Sequence, residues 1–261
     1  MSIKQLLLGS VVGRKAIQLR DIAGLLGLAV ARPEELGTVL NDQLATRLVT
    51  GLACGTFVDV GAHIGSIMAE VQFRTGAKLI AFEAMPEKAL ALKRKFPTAT
   101  VHACAAGTTT GDVSFFVVPA ATGYSSLIKG NNSVEIVVPL RRLDDLVNER
   151  IDTLKIDVEG AELGVLQGAE RTVSESRPII MFESTFDQVL YTKDAMFSWL
   201  NERGYSIVTP DRMAHDGPAI SREGFLESHW YPRRCTNYFG VPTERRLEVR
   251  DMARHTLARP H

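Results

Sequence analysis

Residues 56–66 read Thr56-Phe-Val-Asp-Val-Gly-Ala-His-Ile-Gly-Ser66. The first five are β-formers ending at a glycine, the pattern of a short buried strand. Gly61 and Gly65 then let the backbone turn tightly, and Gly61 to Phe73 has helical character. Strand, glycine turn and helix together open a βαβ unit. The same rhythm continues outward. Ala77–Phe82 is a strand, Pro86–Phe96 a helix with proline in its first turn, and Thr100–Cys104 a third strand. Repetition of β and α in this order predicts a doubly wound parallel sheet.

Further along, Asp112–Val118 and Val134–Leu140 predict an antiparallel pair. The polar stretch Pro119–Ser133 joins them as a long loop of the kind that often serves as a lid. Leu143–Glu149 reads as a short helix, Thr153–Val158 as a strand and Ala161–Ser174 as a helix. Pro178–Phe182 is a strand, and Lys193–Arg203 a helix capped by Gly204. Tyr205–Val208 and Asn237–Val241 supply the last strands. The chain divides into an N-terminal helical extension (1–50), an α/β core (51–242) and a charged C-terminal tail (243–261).

Composition narrows the function. The chain has 261 residues, 45% of them hydrophobic and 23% charged, enough for a large core. Lys and Arg number 30 and Asp and Glu 30, so a nucleic-acid partner is not expected. Cys54, Cys104 and Cys235 are scattered and form no zinc pattern, which favours a reducing, cytoplasmic setting. The run Ile22–Ala31 is about half of a membrane span, so no transmembrane segment is expected. Amphipathic helices over 1–50 are read as capping the domain, with a homo-oligomer contact or peripheral membrane contact as other uses.

The glycine loop carries the first chemistry. A dinucleotide site wants glycine two residues after Gly61, where the pyrophosphate approaches, and that place is His63. An acid on the strand, Asp59, suits an amine or a sulfonium better than a phosphate. S-adenosylmethionine has both cationic groups and no phosphate. Asp59 is expected to hold the loop or the amino end of that cofactor. Glu83 ends the second strand 24 positions later, where an acid accepts ribose hydroxyls. Gly61, Ala62, His63, Gly65, Ser66, Ala84 and Asp157 complete the expected cofactor contacts.

At these residues the chain resembles the FkbM family of S-adenosylmethionine-dependent methyltransferases. The matching stretches are Phe57-Val-Asp-Val-Gly-Ala-His-Ile-Gly65, Ala81-Phe-Glu-Ala-Met-Pro86, Leu143-Asp-Asp-Leu146, Ile156-Asp-Val-Glu-Gly-Ala-Glu162, Val165-Leu-Gln-Gly-Ala169 and Arg177-Pro-Ile-Ile-Met-Phe-Glu183. They occur in family order over about residues 55–240. The resemblance implies a class I methyltransferase fold, Rossmann-like, with seven strands and the last antiparallel. It also implies O-methylation, often of a sugar hydroxyl in a glycan, glycolipid or glycosylated small molecule. The family commonly has Glu-Pro where Glu83-Ala84 stands, a departure expected to leave the ribose contact intact.

Ligands of an open α/β sheet bind beyond the carboxyl ends of its strands. Asp157 and Glu159 close the fourth strand and Glu183 the fifth, so these acids are expected at one rim with Asp59 and Glu83. Crowded acids raise one another's pKa, which suits a general base. Asp157, Glu159 or His63 with a carboxylate partner are the candidate bases. Alternatively Asp157 and Glu183 hold Mg²⁺, which oxygen ligands favour, and the metal activates the hydroxyl. Tyr124, Ser125, Ser126 and Asn237 are the candidate substrate contacts. The competing functions are a non-catalytic cofactor-binding or assembly protein and a nucleotide-dependent oxidoreductase, the latter opposed by His63.

Overall fold

A computed structural model describes residues 23–118, 125–129, 132–185, 190–230 and 235–259. Helix α1 covers residues 23–31, and α2 runs Pro33–Leu52. The core follows as β1 (Thr56–Val60), α3 (Ser66–Arg74), β2 (Lys78–Phe82), α4 (Pro86–Lys95) and β3 (Thr100–His102). A small layer comes next: β4 (Ala105–Ala106), β5 (Gly111–Val117) and β6 (Val134–Arg141), then α5 (Leu143–Leu146). The second half has β7 (Thr153–Ile156), α6 (Glu162–Gln167), α7 (Glu170–Ser176), β8 (Ile179–Glu183) and α8 (Lys193–Glu202). It closes with β9 (Tyr205–Val208), α9 (Arg222–Glu227), β10 (Asn237–Pro242) and α10 (Arg246–Ala258).

The main sheet has seven strands in the order β3-β2-β1-β7-β8-β10-β9. All neighbours are parallel except β10, which runs antiparallel to both β8 and β9. This is the doubly wound class I methyltransferase arrangement that the sequence predicts. The order reverses between β1 and β7, and a crevice opens at that switch point. Beside it, β4, β6 and β5 form a separate three-stranded sheet, with β5 and β6 antiparallel as expected.

Alternation along β1 sorts its side chains into two cores. Val58 and Val60 join one apolar cluster with Leu154, Ile156 and Phe182. Phe57 faces the other cluster, where Ala45, Leu48, Val49 and Leu52 of α2 are fully enclosed. Each such Leu or Val contributes roughly 1.5–3 kcal/mol relative to exposure. Position 50, the expected edge of the extension, therefore falls inside a helix that packs on the sheet. The C-terminal tail is also ordered. Val249 and Ala253 of α10 are buried against α2, and Arg47 donates to the carbonyls of Leu257 and Arg259.

Several expected boundaries move for physical reasons. The helix expected from Gly61 begins at Ser66, because Gly61, His63 and Gly65 have φ of +80°, +52° and +70°. The strand expected to reach Val158 ends at Ile156, and the third strand ends at His102, leaving Cys104 in the following turn. The helix expected over 161–174 is two helices broken at Gly168. A side chain there would collide with the Gly107 carbonyl.

Candidate functional site

The first βα turn is held by its neighbours. Backbone N–H groups of Gly61 and Ala62 both donate to the Phe82 carbonyl, at 3.0 and 3.2 Å. Gly61 passes so close to the next strand's end that a Cβ would strike the Asp157 carbonyl oxygen. Glu83 then staples two turns together. Its Oε2 accepts from the His63 N–H at 2.7 Å and its Oε1 from the Met85 N–H at 2.9 Å. Burial pushes this carboxyl above the usual range, against those two N–H groups. The imidazole of His63 is shifted down, first by burial and then by Lys88 and Lys155.

Asp59 lies beneath the loop. It is 1% exposed, and its Oδ1 is 3.0 Å from the Lys155 ammonium. Asp59 and Lys155 are register partners on adjacent parallel strands, so their side chains leave the same face. Lys155 also meets Asp157 Oδ2 at 3.3 Å and donates to the Gly61 carbonyl at 3.1 Å. Burial opposes its charge, but Asp59 and Asp157 outweigh that and keep the lysine protonated. One ammonium thus ties the floor of the loop to the rim of β7.

Beyond β7 the chain makes a second unusual turn. Glu159 and Gly160 are consecutive left-handed residues with φ of +55° and +102°. For a glutamate this conformation is unfavourable by about 1–2 kcal/mol. Glu162 compensates from below: its Oε1 accepts from the N–H groups of Val158 and Gly160 at 3.2 and 3.0 Å. The Tyr191 hydroxyl donates to its other oxygen at 3.0 Å.

The turn lifts Glu159 to the rim. Carboxylate oxygens of Asp157, Glu159 and Glu183 all lie within 4.8 Å of one another. Burial first, then Asp157 and Glu162, push Glu159 up to about 7. Burial first, then Asp157, Glu159, Glu162 and Asp42, push Glu183 up to about 9. At neutral pH the rim therefore holds protons as well as charges. Asn237 sits opposite Glu183 in the β8–β10 register, and its amide donates to Asp42 of α2 at 2.9 Å.

A cleft partly open to solvent lies between the first turn and the rim. Its walls come from Gly61 and His63, from Glu83 to Met85, and from Asp157 to Glu159. Phe115, Ser125 and Leu127 of the smaller sheet close the opposite side. An acid at the end of β2 and an apolar wall of Phe82, Met85 and Phe115 suit an adenosine with ribose hydroxyls free.

The Methyltransferase FkbM domain family matches residues 59–207, more than half of the chain and all of the turns just described. The chain belongs to the FkbM methyltransferase family. Methyltransferase sdnD of Sordaria araneosa is 28% identical over 154 residues, covering 43% of this chain and 60% of that protein. An FkbM methyltransferase structure from Methylobacillus flagellatus is 21% identical, with a TM-score of 0.46, and covers 72% of this chain but 44% of that one. A TehB-like S-adenosylmethionine-dependent methyltransferase from Corynebacterium glutamicum is 12% identical, with a TM-score of 0.42, and covers 87% of this chain and 99% of that one. The match thus spans less than two thirds of the first two relatives' length.

In this FkbM protein the expected residues separate into three groups. Gly61, His63, Glu83, Ala84, Ser125, Asp157 and Glu159 line the cavity, and Glu183 joins the last two at its rim. Asp59, Ala62 and Gly65 are buried under the loop, and Ser66 is exposed at the start of α3. Asp59 is linked to the loop through Lys155, which donates to the Gly61 carbonyl. Ser126 is buried in the small sheet, bridged to Phe116, and its Oγ accepts from Ile128 N–H at 3.0 Å. Tyr124 lies outside the described residues. Lys155, Tyr191, Lys88 and Asp42 were not anticipated. A lysine inside the buried run Leu-Lys-Ile was the available signal, since such a cation requires an acid on the next strand.

Proposed function

We propose that this chain is an S-adenosylmethionine-dependent O-methyltransferase acting on a hydroxyl of a sugar or glycosylated small molecule, with Glu159 as general base. The supporting observation is the placement of Glu159. It stands on the cavity wall, within 4.8 Å of Asp157 and Glu183, with its carboxyl pushed up to about 7. A base with that affinity accepts a hydroxyl proton near neutral pH and releases it afterwards.

The cofactor supplies an electrophilic methyl on sulfur. Glu83 accepts the ribose hydroxyls through lone pairs not used by His63 and Met85. Phe82, Met85 and Phe115 exclude water from the adenine side. Glu183, holding its proton at neutral pH, donates a hydrogen bond to the acceptor. Glu159 takes the hydroxyl proton as the oxygen–carbon bond forms and the sulfur–carbon bond breaks. Placement of these groups along one line does most of the work, as in any in-line displacement.

The same three carboxylates favour a second reading, in which Asp157 and Glu183, now with Glu159, hold Mg²⁺ and the metal acidifies the hydroxyl. One experiment separates the readings. Labelled methyl transfer is measured over nucleotide sugars, lipid-linked glycans and glycosylated natural products, before and after exhaustive chelation. Turnover insensitive to chelation supports the carboxylate base, and turnover restored only by Mg²⁺ supports the metal. Absence of S-adenosylmethionine and S-adenosylhomocysteine binding to folded protein removes both.

A further inference from the structure

Helix α1 reads Ala-Gly-Leu-Leu-Gly-Leu-Ala-Val-Ala over residues 23–31. It has no charged or hydrogen-bonding side chain, and none of its residues is buried. Leu26 is 66% and Val30 87% exposed. A Cβ added at Gly24 or Gly27 would meet nothing within 4 Å. None of the nine belongs to an apolar cluster of the core. Helices this short are marginal in water, and a helix apolar on every side belongs inside protein or lipid. Spanning takes about 20 residues, and no described helix is long and apolar enough to cross a membrane.

The stretch preceding α1 identifies what covers it. Residues 1–22 carry Lys4, Arg14, Lys15 and Arg20 against a single acid, Asp21, in a chain that is neutral overall. We propose that α1 docks in the interface of an anionic lipid surface, its apolar side chains among the acyl ends and the preceding cations at the headgroups. Apolar insertion and basic attraction together are what reversible surface binding requires.

Arg32 alone separates α1 from α2, and α2 reaches Asp42 at the acid rim about 14 Å from its start. A docked α1 holds that rim near the headgroups, within reach of an acceptor carried by a lipid. This last step rests on the transfer reading; the docking does not.

The test is sedimentation of the full chain with phosphatidylcholine vesicles, with and without about 30% phosphatidylserine. Binding is expected to rise at least about tenfold with the anionic lipid and to fall with salt. Leu26→Glu/Val30→Glu, at two exposed positions, is expected to abolish it while S-adenosylhomocysteine affinity is unchanged. Equal binding by the double variant overturns the proposal, as does no binding by the parent. A parent that ignores vesicles and is dimeric, with a monomeric variant, assigns the face to a second copy instead. A monomeric parent that ignores vesicles, with a variant of lowered melting temperature, assigns it to residues 1–22.

Discussion

Replacing Lys155 with methionine keeps the length of the side chain and removes its charge. The ammonium stands 3.0 Å from Asp59 Oδ1, and Asp59 is 1% exposed. At an effective dielectric of about 20, that separation corresponds to roughly 5 kcal/mol of attraction. Breaking a buried pair from one side typically costs about 3–5 kcal/mol, because the remaining charge is stranded. Asp157, with its side chain 43% exposed, adds little to the loss. The expected destabilisation is about 3–5 kcal/mol, or a fall in melting temperature of roughly 6–20 °C for a chain of this size. Urea and thermal unfolding at pH 7 measure it. The double variant Asp59→Asn/Lys155→Met is expected to regain at least half of the loss. Acid is expected to narrow the deficit of the single variant. A buried Asp59 without its lysine has a raised pKa, so protonation favours the folded state. A loss under about 1 kcal/mol, or no recovery in the double variant, would refute the assignment of Lys155 as the tie under the loop.

Other consequences concern the cavity and its turns. Glu83→Gln keeps the shape of the staple but removes a charged acceptor, so calorimetry is expected to show S-adenosylmethionine affinity about 10–100-fold weaker. With an acceptor in hand, the acid limb of the pH–rate profile is expected to have its midpoint near 7, where Glu159 ionises, with rate rising as pH rises. Glu159→Gln is expected to remove that limb along with most of kcat; a variant that keeps the limb points to another base. Gly61→Ala combines a left-handed φ with a collision at the Asp157 carbonyl. Denaturation should show at least about 2 kcal/mol lost.

How much of this was legible in the sequence depends on range. The strands were, because Leu79-Ile-Ala-Phe82 and, but for Asp59, Phe57-Val-Asp-Val60 are apolar runs between turn signals, as a parallel sheet buried on both faces requires. Two acids at the rim were legible too, Asp157 directly after β7 and Glu183 at the end of β8. What escaped was non-local. Gly168 looks like part of one long helical pattern, and only its contact with the Gly107 carbonyl explains the break. Glu162 looks like a first-turn acid, yet it is 1% exposed and holds the turn that presents Glu159. Asp42 lies before the family-matched segment, and nothing local connects it to Asn237, 195 positions away.

The two turns at the rim have a consequence for what the cavity refuses. Consecutive N–H groups converging from a left-handed turn form a concavity that captures anions, and phosphates most of all. Here the concavity at Val158 and Gly160 already contains the carboxylate of Glu162. The converging N–H groups of His63 and Met85 already contain that of Glu83. The chain thus brings its own anion to the turn beyond β7, where a phosphate chain would otherwise be welcomed. ATP and NAD carry the same adenosine as the cofactor this cavity suits, but add phosphates. Neither is therefore expected to bind, which a calorimetric titration checks.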